Sequence, residues 1–294
     1  MSAPKKIQAI NGLWQATATE YHSDNEYISH SMLEDFRDSI PRFAGLFVTK
    51  TIAADESSQA QALGTAFHAF LLEPDIVNDL LVKWPEGDGK TAEVQRARKN
   101  VCPQAGNAAT PKVRHVGART IVTADQWDQA QRMADSARQH PLVRSMVDLP
   151  GYCEQAVRVE CSELGKRKAR FDKLFEAGHI LDLKSTRHMD PKAFAKDAYN
   201  LGYFRQAATY EDVRDIAMGA GQAVFIYVAT CSEEPFETIV YEVEREALAL
   251  GREENRELLF ELRDRQRRDD WSSRWSGLQR LNAPQWARRQ SERE

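Results

Sequence analysis

Asp172 and the tripeptide Asp182-Leu183-Lys184 are the residues of this 294-residue chain whose types and spacing point most directly to chemistry. Ala177-Gly178 marks a turn between them, and the residues on either side alternate as strands do. Side chains on a strand alternate between its faces, so Asp182 and Lys184 share one face while Leu183 points to the core. A short antiparallel turn brings Asp172 alongside Asp182. Two carboxylates that close repel unless a cation lies between them. Magnesium takes carboxylate, carbonyl and water oxygens, and the Leu183 carbonyl is a further oxygen in reach. Such a set suits phosphodiester hydrolysis, where divalent ions about 4 Å apart neutralise the phosphate, lower the pKa of a water and stabilise the leaving oxygen. Lys184 supplies the cation beside the attacking water or the phosphate. The same residues would equally form a strand-end salt bridge and a surface acid beside a turn.

The surroundings extend this reading. Lys168, Arg170 and Asp172 fall on one strand face, so the cations flank the acid as candidate phosphate contacts. They belong to a run of five cations (Lys166, Arg167, Lys168, Arg170, Lys173), which as a bare pattern also describes a solvated hairpin. Gln206 and Tyr210 are four apart on the following helix and share a face. They can contact nucleic acid or hold Lys184 in place. His68 stands on an apolar helix, where a lone histidine is more often a core residue than a ligand. Gly64, one turn earlier, suggests close approach by another element.

These residues need a scaffold, and the chain supplies one. Ser29 caps a helix ending at Pro41. Gln59 to Leu72 forms a second helix, stopped by Pro74. Residues 83–118 form a poorly patterned segment with one helix near Thr91–Asn100, read as a loop over a groove or a surface insertion. Arg119–Val122 is a strand, and Thr123 to Gln126 is a capping box that opens a helix closed by Pro141. Strands follow at 153–160, 168–175 and 179–184. A helix from Pro191 falters at Asn200-Leu201-Gly202 and resumes to Ala217. Strands at 222–230 and 236–243 precede a helix to about Arg268. The pattern is an α/β (α+β) layer fold with a mixed central sheet flanked by helices and a helical N-terminal part. The domain spans 27–260. Residues 1–26 read as a loosely ordered lead-in, and 261–294 as a basic tail with Trp271, Trp275 and Trp286.

Composition sets outer limits. The chain is 42% hydrophobic and 9% aromatic, which speaks against global disorder. Its apolar runs fall short of the roughly 18 residues of a membrane span. MSAPKKIQAI has no apolar signal core, so the expected location is the cytoplasm. The four cysteines are scattered and read as reduced thiols, with little support for an iron–sulfur cluster. A net charge of −4 argues against a uniformly basic nucleic-acid-coating surface but leaves room for a local basic channel.

Taken in order, several short elements resemble the PD-(D/E)xK nuclease superfamily, and most closely its RecE-like exonucleases, often phage- or prophage-encoded. They are Tyr27-Ile28-Ser29 with Leu33 and Phe36; Leu63-Gly64-Thr65-Ala66-Phe67-His68; Thr123 to Pro141; Glu154; Lys168 to Asp172; Asp182 to Thr186; and Gln206 to Tyr210. The resemblance implies a restriction-endonuclease-like sheet. It implies that His68, Asp172, Asp182 and the Leu183 carbonyl hold Mg2+ (Mn2+ substituting), that Lys184 acts on water or phosphate, and that Glu154 is an additional acid. Gln206 and Tyr210 match its Q-xxx-Y element, while Lys168, Arg170 and Thr186 lie where DNA is contacted. Such enzymes resect linear double-stranded DNA from an end without ATP, often as rings, and act with a single-strand annealing protein in a bacterial or phage-infected cell. An endonuclease on the same fold, or an idle DNA-binding subunit, are the competing expectations. No P-loop or helicase motif is present, so a bare nuclease module is expected.

Overall fold

A computed structural model describes residues 12–282 apart from 15, 56–57, 107, 112–114, 163–164 and 220. The N-terminal elements are β1 (Leu13–Trp14), α1 (Ala18–Ser23), α2 (His30–Asp38), α3 (Ile40–Phe43), α4 (Gln59–Leu72) and α5 (Val77–Leu80). A small sheet unit follows, with β2 (Leu81–Lys83), α6 (Ala92–Val101), β3 (His115–Val116) and β4 (Arg119–Val122). Then come α7 (Ala124–Gln139), α8 (Pro141–Val147), β5 (Gly151–Cys161), β6 (Gly165–Phe175) and β7 (Ile180–Thr186). The chain continues through α9 (Pro191–Asn200), α10 (Tyr203–Met218), β8 (Phe225–Cys231), β9 (Thr238–Glu242) and α11 (Arg245–Arg268).

The main sheet has the order β1-β5-β6-β7-β8-β9. Only β7 and β8 run parallel, because the α9–α10 crossover joins them; the other pairs are antiparallel. Alternation along β7 and β8 divides their side chains between two cores. Leu181, Leu183 and Val228 pack with α4 and α7 residues such as Phe67 and Met133. Ile180, Phe225 and Tyr227 pack with Ala207 and Val213 of α10. The mixed sheet flanked by helices is the fold class expected from the sequence. A further cluster joins Leu33 and Phe36 of α2 to Leu259 and Leu262 of α11. Among the described residues no helix is long and apolar enough to cross a membrane.

Several local expectations need correction. Pro41 does not end the N-terminal helical run. Ser39 closes α2 and caps α3, whose first turn holds the proline. Pro141 likewise opens α8, because proline suits a first helical turn. The segment 83–118 contributes to a three-stranded sheet, β2-β4-β3, beside α6. Buried Arg98 pins its turn, donating to the carbonyls of Pro85 (3.0 Å) and Gly87 (3.0 Å). At Gly64 a Cβ would meet only Ser185 Oγ at 3.9 Å, an ordinary contact, so no neighbour demands glycine there.

The described part of the first 26 residues is built into the fold. Leu13–Trp14 pairs with Ala156 and Val157 as an edge strand, and Thr17 closes a capping box on α1, whose Tyr21 is buried. Residues 1–11 lie outside the described residues. In the tail, Trp271 packs at 6.0 Å on Phe43, and Arg274 clamps Glu261 and donates to the Arg37 carbonyl (2.8 Å). Trp275 is exposed, and Trp286 lies outside the described residues.

Candidate active site

The site forms where strands β5, β6 and β7 lose contact with one another. β5 and β6 pair through Cys153↔Lys173 and Gln155↔Phe171, but the position between them, Glu154 opposite Asp172, is unpaired. Glu154 has a φ of 49°, a left-handed conformation that costs a non-glycine residue on the order of 1 kcal/mol. That twist aims its carboxylate out of the ladder. β6 and β7 pair at Leu174↔Ile180 and Lys173↔Leu181 and then separate. Continued by one position, the register sets Asp172 beside Asp182, as the turn spacing predicts. Instead of a ladder bond, the Leu183 amide donates to Asp172 Oδ2 at 2.7 Å. A strand residue's N–H and C=O project to the same edge, so the Leu183 carbonyl also faces this gap. Its side chain is buried in the opposite core.

α4 closes the gap from one side. His68 Nδ1 lies 3.5 Å from Asp172 Oδ2 and 3.6 Å from Glu154 Oε1. Ligand atoms of His68, Glu154 and Asp172 all fall within 4.8 Å of one another. Burial pushes the His68 imidazole down, but Asp172 and Glu154 outweigh it and raise it to about 9. Burial, reinforced by Asp182 and Glu154 against the pull of His68, lifts Asp172 to about 7. Burial works in the same direction on Glu154, yet His68 and Arg170 hold it below the ordinary carboxylate range. His68 and the carboxylates thus face one gap. Carboxylates, an imidazole and a backbone carbonyl converging on one gap fit a divalent cation.

α10 closes the gap from the other side. Gln206 Nε2 donates to Asp182 Oδ1 (2.8 Å), and Gln206 Oε1 accepts from Lys184 Nζ (2.9 Å). Lys184 Nζ also pairs with Asp182 Oδ2 and stands 4.7 Å from the Tyr203 ring centre. Burial disfavours the ammonium, but Asp182 and Asp172 outweigh it and raise Lys184 above the ordinary lysine range. Tyr210 hydrogen-bonds Gln206 and lies in the field of Asp182 and Asp172. Its ring packs edge-on to Phe171 at 5.2 Å, behind Gln206, and burial raises its phenol well above the usual value.

The cation run behaves differently from the expectation. Lys168 is 1% exposed and donates to the carbonyls of Tyr21 and Asp24, so it is a structural tie and not a surface for phosphate. Arg167 and Lys173 are also buried, on the Ile28 and Val147 carbonyls. Burial of two strand faces under α1, α2 and α8 overrides the surface preference of lysine. Arg170 does reach the site, through Glu154 Oε2 (3.2 Å) and the Glu154 carbonyl (3.3 Å). Thr186, half-buried at the end of β7, bonds the backbone of His188.

Sequence reasoning missed two supports. Tyr203 and Tyr227 line the Lys184 ammonium, and the Tyr227 hydroxyl donates to the Tyr203 carbonyl (2.7 Å). Tyr227 pairs with Asp182 across the parallel strands, a relation visible only once the register is known. Arg205, 3% exposed, forks onto Glu34 (2.6 and 2.8 Å) and Glu254 (2.6 Å), anchoring α10 beside Gln206. An arginine adjoining Gln206 was the available signal.

No curated protein sequence matches the chain. Among solved structures it is similar to one described as a "Putative exonuclease" from Eubacterium rectale, with a TM-score of 0.60 and 15% identity. That match covers 92% of this chain and 96% of the other. At this identity the likeness is one of fold. A family model described as a PDDEXK-like domain of unknown function (DUF3799) matches residues 29–279, from the N-cap of α2 into the tail. The chain belongs to this PDDEXK-like family, within the PD-(D/E)xK nuclease superfamily.

Proposed function

We propose that the protein is a Mg2+-dependent exodeoxyribonuclease that hydrolyses phosphodiester bonds from the ends of linear double-stranded DNA. The observation that carries this reading is the convergence of Glu154, Asp172, Asp182 and Lys184 with His68 and Gln206 at one strand gap. His68, Asp172, Asp182 and the Leu183 carbonyl would hold the ion, with Glu154 beside them and Mn2+ an acceptable substitute. When bound, a divalent cation neutralises phosphate charge and makes a water nucleophilic near neutral pH.

The chain's own residues do the rest. Lys184 is held as an ammonium by Asp182 and Gln206, which suits it to stabilise phosphate charge and to orient the attacking water. Gln206 uses both ends of its amide, so it fixes Asp182 and Lys184 relative to one another. Tyr210, packed on Phe171, hydrogen-bonds Gln206. Arg170 and Thr186 remain the candidates for phosphate contact, now without Lys168.

The RecE-like resemblance extends the reading. In it, degradation runs 5′ to 3′ without ATP, in the cytoplasm of a bacterial or phage-infected cell. The enzyme acts in recombination as a ring-shaped homo-oligomer with a single-strand annealing partner. A ring reconciles an acidic chain with DNA, since only its lumen has to be positive.

Linear and closed circular duplexes, incubated with Mg2+ or with EDTA, test the reading. Loss of the linear form alone, only with metal, is the expected result. Cutting of the circle would make the protein an endonuclease of the same fold. Calorimetric Mg2+ titration of Asp182→Ala should show weakened binding alongside lost cleavage.

A further inference from the structure

A second cavity, of about 350 Å3, opens between the start of β6 and the helices α10 and α11. Arg167, which lines it, is five residues along β6 from Asp172, roughly 17 Å of strand. Its floor holds two polar side chains that are almost fully buried, Arg167 (2% exposed) and Asn255 (3%). Arg167 donates to neutral oxygens only: the Ile28 carbonyl (3.2 Å) and Thr209 Oγ1 (3.1 Å). Asn255 Nδ2 donates to the Arg205 carbonyl (2.8 Å) and Thr209 Oγ1 (3.1 Å). Those bonds fix the amide orientation and leave Asn255 Oδ1 a buried acceptor with no partner.

The rim adds charge. Exposed Arg256 lines the cavity and has no partner among the described residues. Arg252 is tied to Asp212 (2.7 Å) and Glu211, while Asp215 is taken by Arg214. The acids present are thus already paired with Arg252 and Arg214; Arg167 lies in the field of Asp212 without an ion pair of its own, and Arg256 has none among the described residues. Ile216 and Leu259 supply apolar wall.

Two needs stand open: an anion facing several guanidiniums, and a hydroxyl donor for Asn255 Oδ1. A carboxylate meets the first alone. A sugar phosphate monoester meets both, since its oxygens match guanidinium forks and its sugar carries hydroxyls. A volume near 350 Å3 is at the lower end of small-ligand sites. We propose that this cavity is a binding site for a small phosphate monoester, of the size of a nucleoside monophosphate, with Arg167 and Arg256 as its anion contacts and Asn255 as its hydroxyl acceptor. The site does not depend on the nuclease reading.

Calorimetry on the full chain in EDTA tests it, with inorganic phosphate and a nucleoside 5′-monophosphate as separate titrants. Saturable binding of one monophosphate per chain is expected, tighter than inorganic phosphate. Arg256→Glu should weaken it at least tenfold, with Arg256→Lys retaining most of the affinity. Asp182→Ala should bind as the parent does, which separates this cavity from the acidic site. An unphosphorylated duplex should not displace the ligand. Absence of saturable binding, unchanged affinity in Arg256→Glu, loss in Asp182→Ala, or displacement by that duplex would each overturn the assignment.

Discussion

Two lysines, Lys168 buried and Lys184 half-buried, sit over tyrosine rings and are held by opposite kinds of partner. Lys168 Nζ lies 4.6 Å from the Tyr21 ring centre, and its partners are the neutral carbonyls of Tyr21 and Asp24. Lys184 Nζ lies 4.7 Å from the Tyr203 ring centre, and its partners are the Asp182 carboxylate and Gln206. Burial lowers the proton affinity of Lys168, with Asp24 offsetting it in part. At Lys184 the carboxylates outweigh burial and raise it. The difference separates structure from site. Carbonyls tie Lys168 between α1 and β6 and leave it nothing to exchange. Lys184 belongs to a set of charges that balance one another, in a gap that an incoming phosphate or cation can enter.

The largest expected effect breaks the comparison if it fails. Lys184→Ala should lower cleavage of end-labelled duplex about a thousandfold while duplex affinity holds. Unchanged turnover would remove Lys184 from the site. Lys168→Met should leave turnover per folded molecule within about threefold.

That same Lys168→Met variant should instead lose about 3 kcal/mol in urea unfolding, because two buried carbonyls lose their donor. Lys184→Met also leaves a buried charge, Asp182, without its partner. Mg2+ should restore part of that stability and none of the loss at Lys168. Equal recovery in both variants would erase the distinction.

His30 lies between the two regions. Burial, then Lys184, Arg205 and Arg167, lower its imidazole to about 3. Unfolded, it binds a proton below about pH 6.5, whereas the folded chain does not. Stability from this group is therefore present above 6.5 and lost as pH falls toward 3. Between pH 7 and 5 the loss should be about 2 kcal/mol. His30→Gln should flatten that part of the pH profile of urea midpoints. An unchanged slope would mean His30 is not held neutral.

Much of this was legible before any coordinates, and unevenly so. Helix α4 and the capping box at Thr123 follow from local chemistry, because the bonds they need lie within four residues. The Asp172–Asp182 juxtaposition follows from strand alternation and one turn. Local rules could not tell Lys168 from Lys184, since both are lysines on a strand. Their fates depend on what covers them: α1 lies more than a hundred residues before Lys168, while α10 comes after Lys184 across α9 alone. Glu154 came only from the family resemblance and not from local rules, since its left-handed backbone matters only opposite Asp172. Pro41 and Pro141 read as stops because proline breaks helices, yet each opens the next one.

Gln206 gives the finest test of the comparison, since it touches both the acid and the lysine without balancing either charge. Gln206→Ala leaves the Lys184–Asp182 pair in place, so charge is conserved and only orientation is lost. The expected result is about a tenfold fall in kcat with little change in KM, since a positioning contact is worth roughly one hydrogen bond to a charged group. Gln206→Glu keeps an acceptor for Lys184 but sets a second carboxylate against Asp182. It should lose more than Gln206→Ala in low Mg2+ and recover as Mg2+ rises. A loss in Gln206→Ala as large as that of Lys184→Ala would mean that the glutamine itself meets the scissile phosphate. The boundary between positioning and reacting groups would then move from β7 onto α10.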